Sequence, residues 1–199
     1  MPDLVTPPAL LGLTALLAYL LGSVSFGIVM ARLFGLGDLR KVGSGNIGAT
    51  NVLRTGNRPA AFLTLVLDAG KGAIAVLTAR ALLAEDAGQV AALASFLGHC
   101  YPIFLGLKGG KGVATFIGTA LALAPLVGIA VCVIWLGTAA LTRISSLSAL
   151  VGALGTVLVA LAVRPDAVLL FALLAAVVLW RHRTNIARIL AGEEPRIGR

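Results

Sequence analysis

The chain has 199 residues, 59% of them hydrophobic and 12% charged, with a mean hydropathy of +1.01. Soluble domains carry roughly twice that share of charge, so an ordinary soluble fold is excluded. The formal net charge of +8 reads as lysine and arginine gathered in cytoplasmic loops, and no aromatic platform accompanies it that would make nucleic acid a partner.

The N-terminal "MPDLVTPPALL" lacks a cationic leader region and a cleavage site, so the first apolar stretch reads as a retained helix, not a signal peptide. Six apolar stretches follow one another: Ala9–Met30, Ala60–Leu83, Gln89–Leu107, Val113–Leu141, Ile144–Val163 and Ala167–Trp180. The short alternating segments of a transmembrane β-barrel are absent. Arg32, Arg40, Lys41, Arg54 and Arg58 fall in the first connection, Lys108 and Lys111 in the third, and Arg181, Arg183 and Arg188 in the tail. The second connection carries Glu85 and Asp86. By the positive-inside rule the cationic connections and the tail face the cytoplasm and the N-terminus lies outside, which requires an odd number of crossings. The fourth stretch supplies the extra one: it is too long for a single span, and Pro125 divides it into two shorter helices. The expected fold is an all-α polytopic membrane protein, a single domain over residues 1–199 with seven transmembrane helices, some short or broken.

Two connections have the composition of anion sites. "GSGNIG", Gly43 to Gly48, fits the dinucleotide pattern G-x-G-x-x-G, but it follows a membrane helix where that fingerprint needs a buried strand. "LKGGKGVAT" resembles a phosphate loop, but Gly112 stands where Ser or Thr must follow the lysine. The physics outlasts both labels: glycines let backbone N–H groups approach an anion, and a helix starting just afterwards adds its positive end. Gly43, Gly45 and Gly48, with Ser44, Asn46, Thr50, Asn51 and Arg54, form one candidate wall. Lys108, Gly109, Gly110, Lys111 and Gly112 form the other. Arg32, Arg58, Arg143 and Arg183 read as topology anchors. In the tail, His182 and Asn185 share a helical face, with Ile186, Ile189 and Leu190 as an apolar stripe on an extension of the last helix. His99 reads as a satisfied structural histidine, Asp68 and Lys71 as an i, i+3 pair inside a span or as groups lining the same cavity, and Cys100 and Cys132 as buried small hydrophobes. No cluster has metal-ligand spacing. A transporter of organic phosphates is the rival reading, but its polar groups belong at the membrane midplane, not at one face.

Taken together, "GSVSFG" (Gly22 to Gly27), "VGSGNIGATNVLRT" (Val42 to Thr55), "LGHCYPIFLGLKGGKGVAT" (Leu97 to Thr115) and "RHRTNIARILAGEE" (Arg181 to Glu194) resemble the bacterial acyl-phosphate-dependent glycerol-3-phosphate acyltransferases over essentially the whole chain. Ser25 stands where Pro is common in that family, and Leu107 where Phe is usual. The resemblance implies a seven-helix inner-membrane enzyme with a cytoplasmic active site and no cofactor. It would transfer a fatty acyl group from acyl phosphate to the 1-hydroxyl of sn-glycerol 3-phosphate, making lysophosphatidate and phosphate. Ser44, Arg54, Lys111, His182 and Asn185 align with the family's substrate-contacting residues. The backbone from Gly43 to Thr50, with Asn46 and Asn51, would cradle the acyl phosphate. No Ser-His-Asp order appears, nor the H-x-x-x-x-D pattern of thioester-dependent acyltransferases: position 104 is Phe and position 187 is Ala.

Overall fold

The computed structural model describes residues 2–198, and the regular elements among them are all helical. The long helices are α1 (Pro8–Ser23), α4 (Arg58–Leu82), α5 (Glu85–Cys100), α6 (Val113–Leu123), α7 (Pro125–Thr142), α8 (Ser145–Val163) and α9 (Val168–Arg181). Between and after them come α2 (Phe26–Leu33), α3 (Ala49–Leu53) and α10 (Arg183–Leu190). Among the described residues five segments are long and apolar enough to cross a membrane: 8–33, α4, Glu85–Leu105, α7 and α8. The 165–181 and 183–190 segments form a sixth only if taken together across a 61° bend.

Proline sets three helix starts, at Pro8, Pro59 and Pro125, where its missing N–H costs nothing. Pro125 divides the fourth apolar stretch as expected, but unequally. The α7 helix has 18 residues, whereas α6 has 11, about 16 Å of helix against a hydrocarbon core of about 30 Å. The 101–112 segment folds back ahead of it, with Gly110 and Gly112 buried in the bundle.

Two features depart from the sequence reading. The first apolar stretch is interrupted at Val24–Ser25, between α1 and α2. A break inside a membrane helix frees backbone groups that need partners, and the buried pair Asp68–Lys71 on α4 supplies them. Lys71 Nζ donates to the Val24 carbonyl at 2.7 Å, and Asp68 Oδ1 accepts from the Phe26 N–H at 3.4 Å. The tail is also not a straight extension of α9, because His182 sits at the bend before α10. Leu190, assigned to the apolar stripe, is 83% exposed.

Small residues bring the helices close, as expected where lipid supplies no hydrophobic drive between them. Gly118 of α6 lies against the Ala69 backbone of α4, and Gly98 of α5 against the Tyr19 carbonyl of α1. Phe96, Phe116 and Phe171 tie α5, α6 and α9 together edge to face, with centroids 6.4 and 6.5 Å apart. At the end of the bundle away from the cationic loops, Arg164 bonds Glu85 at 2.7 Å and Asp166 at 2.8 Å, and Arg80 meets Glu85 at 2.9 Å. The N-terminal segment is pinned there too, with Thr6 Oγ1 donating to Asp86 at 2.7 Å.

Candidate active site

Three segments converge at the cationic end of the bundle. The loop from residue 34 to 57 is organised by Asn51, which is 1% exposed. Its Nδ2 donates to the carbonyls of Leu39 and Asn46 at 2.9 and 2.7 Å. Its Oδ1 accepts from the Ser44 N–H at 3.1 Å and from Arg54 Nη1 at 3.4 Å. Gly43 adopts φ +50°, and a Cβ there would sit 2.7 Å from Asn51 Oδ1. Only glycine lets the chain turn tightly around that amide.

The second segment carries Lys111. The Gly110 N–H donates to the His99 carbonyl at 3.2 Å. Arg181 donates to the carbonyls of Gly109 and Gly110 at 2.8 and 3.0 Å while its guanidinium lies 5.1 Å from the Tyr101 ring centroid. Arg40 Nη2 donates to the Lys108 carbonyl at 3.2 Å, joining the first two segments.

The third segment is the α9–α10 bend and the tail after it. Lys111 Nζ donates to Asn185 Oδ1. Asn185 Nδ2 donates to Glu194 Oε1 at 2.5 Å. Glu194 also accepts from Ser146 Oγ and Arg188 Nε, each at 2.7 Å. His182 Nδ1 lies 2.8 Å from the Val178 carbonyl. A carbonyl only accepts, so Nδ1 carries the proton and Nε2 is left as an acceptor.

Burial pushes the Lys111 ammonium down to about 8; Glu194 opposes the fall, while Arg188, Arg181 and Arg54 add to it. Burial also takes His182 down to about 4, against the bond to the Val178 carbonyl. For Glu194, burial works upward, but the bonds from Ser146, Asn185 and Arg188 outweigh it and hold the carboxyl below its ordinary value. Near neutrality the site therefore holds a neutral imidazole and an ionised carboxylate beside charged Arg54 and Lys111.

These side chains line a cavity of about 880 Å³, well within the size range of ligand sites. Its polar end holds Ser44, Asn46, Gly48, Thr50, Asn51, Arg54, Lys111, Gly112, His182 and Asn185. Its other end is apolar and runs between α4, α6 and α7 past Leu65, Val66, Ala69, Ile117, Trp135 and Leu136. Gly43, Gly45, Lys108, Gly109 and Gly110, expected to touch substrate, are not among the lining residues. The N–H groups of Gly45 and Gly110 are spent on the carbonyls of Val42 and His99, and Lys108 is exposed. The expected nest from Gly43 to Thr50 is reduced likewise, because the Ser44 N–H is taken by Asn51. Asn51 itself has both its donor and acceptor groups engaged within the loop, so it shapes the wall it was expected to donate from.

Several lining residues escaped the sequence reading. Glu194 and Ser146 are two; Ser145, whose Oγ lies 3.2 Å from Thr50 Oγ1, is a third; and His99, read as structural, lines the cavity beside Asp68. Arg58 lines the cavity as well as marking a helix start, and Cys132, read as a buried core residue, is half-buried on the apolar wall. A carboxylate nine positions beyond Asn185 in a polar tail carries no spacing signal; only the returning chain brings it in.

A cationic pocket continuous with an intramembrane apolar groove defines a membrane enzyme that handles an anionic headgroup and a hydrocarbon chain together. The sequence model of the family described as glycerol-3-phosphate acyltransferase matches residues 12–192, and the chain belongs to that family. It is 68% identical to a glycerol-3-phosphate acyltransferase of Jannaschia sp. (strain CCS1), over all of this chain and 98% of the relative. It is 60% identical to one of Cereibacter sphaeroides (strain ATCC 17025 / ATH 2.4.3), over all of this chain and 95% of the relative. Among solved structures it resembles PlsY, an integral membrane glycerol 3-phosphate acyltransferase, in its glycerol 3-phosphate form. That likeness has a TM-score of 0.89 at 40% identity, over 94% of this chain and 96% of that one. The lysophosphatidic acid form of PlsY gives 0.88 at 38% identity, over 94% of this chain and 95% of that one.

Removing the Glu194 carboxylate leaves the buried Asn185 amide and Ser146 hydroxyl without their shared acceptor, a cost of about 1–3 kcal/mol per buried donor, while the third-exposed Arg188 guanidinium can turn to water. Glu194→Ala is expected to lower the unfolding temperature in detergent and to reduce kcat/KM by roughly ten-fold or more. Activity and unfolding temperature unchanged in that variant would show that the tail carboxylate organises nothing.

Proposed function

We propose that this chain transfers a fatty acyl group from acyl phosphate to the 1-hydroxyl of sn-glycerol 3-phosphate, releasing inorganic phosphate and lysophosphatidate. Acylation of glycerol 3-phosphate follows from the family. The donor, the proton path and the membrane side are the present reading. One observation carries it: a single cavity of about 880 Å³ joins a polar end with Arg54 and Lys111 to an apolar groove. Two phosphates meet the cations, and the acyl chain takes the groove.

In this reading Lys111, Arg54 and Ser44 hold the phosphates, and Asn185 and His182 orient the glycerol. The 1-hydroxyl oxygen attacks the acyl carbonyl carbon, a new C–O ester bond forms, and the bond from carbon to the phosphate oxygen breaks with its electrons going to phosphate. The cations stabilise the charge that develops there. The hydroxyl proton passes to a phosphate oxygen. His182 is the competing base, but a group titrating at about 4 is a weak acceptor beside a phosphate monoester whose second ionisation lies near 6. An acyl phosphate is already activated, so no covalent nucleophile is needed.

The membrane reading is seven crossings: 8–33, α4, α5, α6, α7, α8 and α9. The Arg80–Glu85–Arg164 cluster and the Thr6–Asp86 contact mark the outer end, and α10 lies along the cytoplasmic surface of a bacterial inner membrane. The distribution of Arg40, Lys41, Lys108, Arg143 and Arg183 on the other end supports this orientation.

Purified protein in detergent, given acyl phosphate and glycerol 3-phosphate, is expected to release phosphate only when both are present, and to use neither acyl-CoA nor acyl-carrier protein as donor. No turnover, together with uptake of glycerol 3-phosphate into vesicles, would point to transport instead. The pH dependence follows from the groups in the cavity. As a lysine lowered to about 8, Lys111 loses its charge as pH rises through that value, so kcat/KM falls above about 8. It rises through about 6 as the substrate phosphate takes its second charge. His182→Gln should retain both limbs and measurable turnover. Near-complete loss of kcat with substrate binding unchanged would make His182 the base.

A further inference from the structure

We infer that the buried Asp68, Lys71 and His99 form a positioning unit that sets the location of the Lys111 ammonium from inside the membrane. The inference rests on the assignment of Lys111 to the phosphate site.

The three side chains are 1%, 2% and 5% exposed. Lys71 Nζ lies 2.8 Å from Asp68 Oδ1 and 2.9 Å from His99 Nδ1. Its remaining donor reaches the Val24 carbonyl at the break between α1 and α2, at 2.7 Å. Charges inside a span are costly unless paired, and each partner fixes the other's geometry. The network therefore locks the His99 ring on α5 against α4 and the first helix.

His99 in turn holds the loop that carries Lys111. Its carbonyl accepts the Gly110 N–H at 3.2 Å, and the Nε2 edge of its ring packs against Gly110 Cα so closely that a Cβ would collide with it. From outside, Arg181 grips the carbonyls of Gly109 and Gly110 at 2.8 and 3.0 Å. The residue just before Lys111 is thus clamped on two sides. The α6 helix that begins just after it is tied to the same place, with Thr115 Oγ1 donating to the Asp68 carbonyl at 2.9 Å. A lysine has four rotatable side-chain bonds, so its ammonium is well placed only if its backbone is. Misplacing a reacting group by about 1 Å can cost 10²-fold in rate.

The test uses whole protein in detergent, with KM for glycerol 3-phosphate, kcat, the pH profile and the unfolding temperature measured for each variant. His99→Asn keeps an atom opposite Lys71 where Nδ1 stood but removes the ring edge against Gly110. It is expected to hold its unfolding temperature, to raise KM about ten-fold, and to move the high-pH limb upward as Lys111 is released toward solvent. Gly110→Ala alone is expected to lose most activity. Adding His99→Asn to it should restore activity above the Gly110→Ala level, because the collision is relieved. If His99→Asn does not give folded protein, Asp68→Asn with Lys71→Met removes both charges together and provides the same KM and pH readouts.

A His99→Asn variant with unchanged KM and pH limb, or a double variant no better than Gly110→Ala, would overturn the inference. Lys111→Gln separates the two layers of the argument. If it raises KM while the His99 variants do nothing, only the positioning unit falls. If it too leaves KM unchanged, the assignment of Lys111 falls and takes the inference with it.

Discussion

The site depends on one hydrogen-bonded line, from the Lys111 ammonium through the Asn185 amide to the Glu194 carboxylate. An ammonium cannot accept and a carboxylate cannot donate, so the amide between them has only one orientation. The line joins three stretches that are distant in sequence: the loop before α6, the bend after α9, and the returning tail. Among the described residues Lys111 Nζ uses only this one partner, so two of its three hydrogens remain for an anion. Glu194 is held down in turn by Ser146 at the start of α8. Without that carboxylate the Asn185 amide loses the acceptor that anchors its far side, and the cation is held less firmly.

The membrane setting gives this line its strength and accounts for the short α6. Hydrogen bonds to charged groups count for more where water is scarce, and the cavity is apolar on the side away from the cations. A full-length α6 would lift Lys111 out toward bulk water. Eleven residues, with the glycine loop folded into the bundle ahead of them, set it back among the helices. The same choice brings the hydrocarbon groove and the phosphate end into one space, as a reaction between a lipid chain and a polar acceptor requires.

How much of this could be read from the sequence follows from where each residue's partners lie. Ser44, Arg54 and Lys111 stood out because glycine, asparagine and cations without carboxylates have no use as mere anchors. Pro125 announced the α6–α7 break because proline acts on its own backbone. The break at Val24–Ser25 was marked only faintly, by the "GSVSFG" run with Ser25 where Pro is common in the family; what stabilises it, Lys71 and Asp68, lies over forty positions on. Asn51 was visible as a polar residue, but its role depended on whether its amide was free or engaged, which only the folded loop decides. Glu194 closes the "RHRTNIARILAGEE" run, but no spacing marks it as a partner of Asn185. His99 has the satisfied hydrogen bond it was read to have; that it also lines the cavity, with partners Lys71 and Gly110 on different elements, was beyond sequence reasoning.

A structure of this protein with bound glycerol 3-phosphate tests the central claim most directly. The account predicts the phosphate within hydrogen-bonding distance of Lys111 Nζ, with Arg54 and Ser44 also in contact and the Lys111–Asn185–Glu194 line intact. A phosphate held instead by surface arginines such as Arg143 or Arg183, with Lys111 uninvolved, would contradict it.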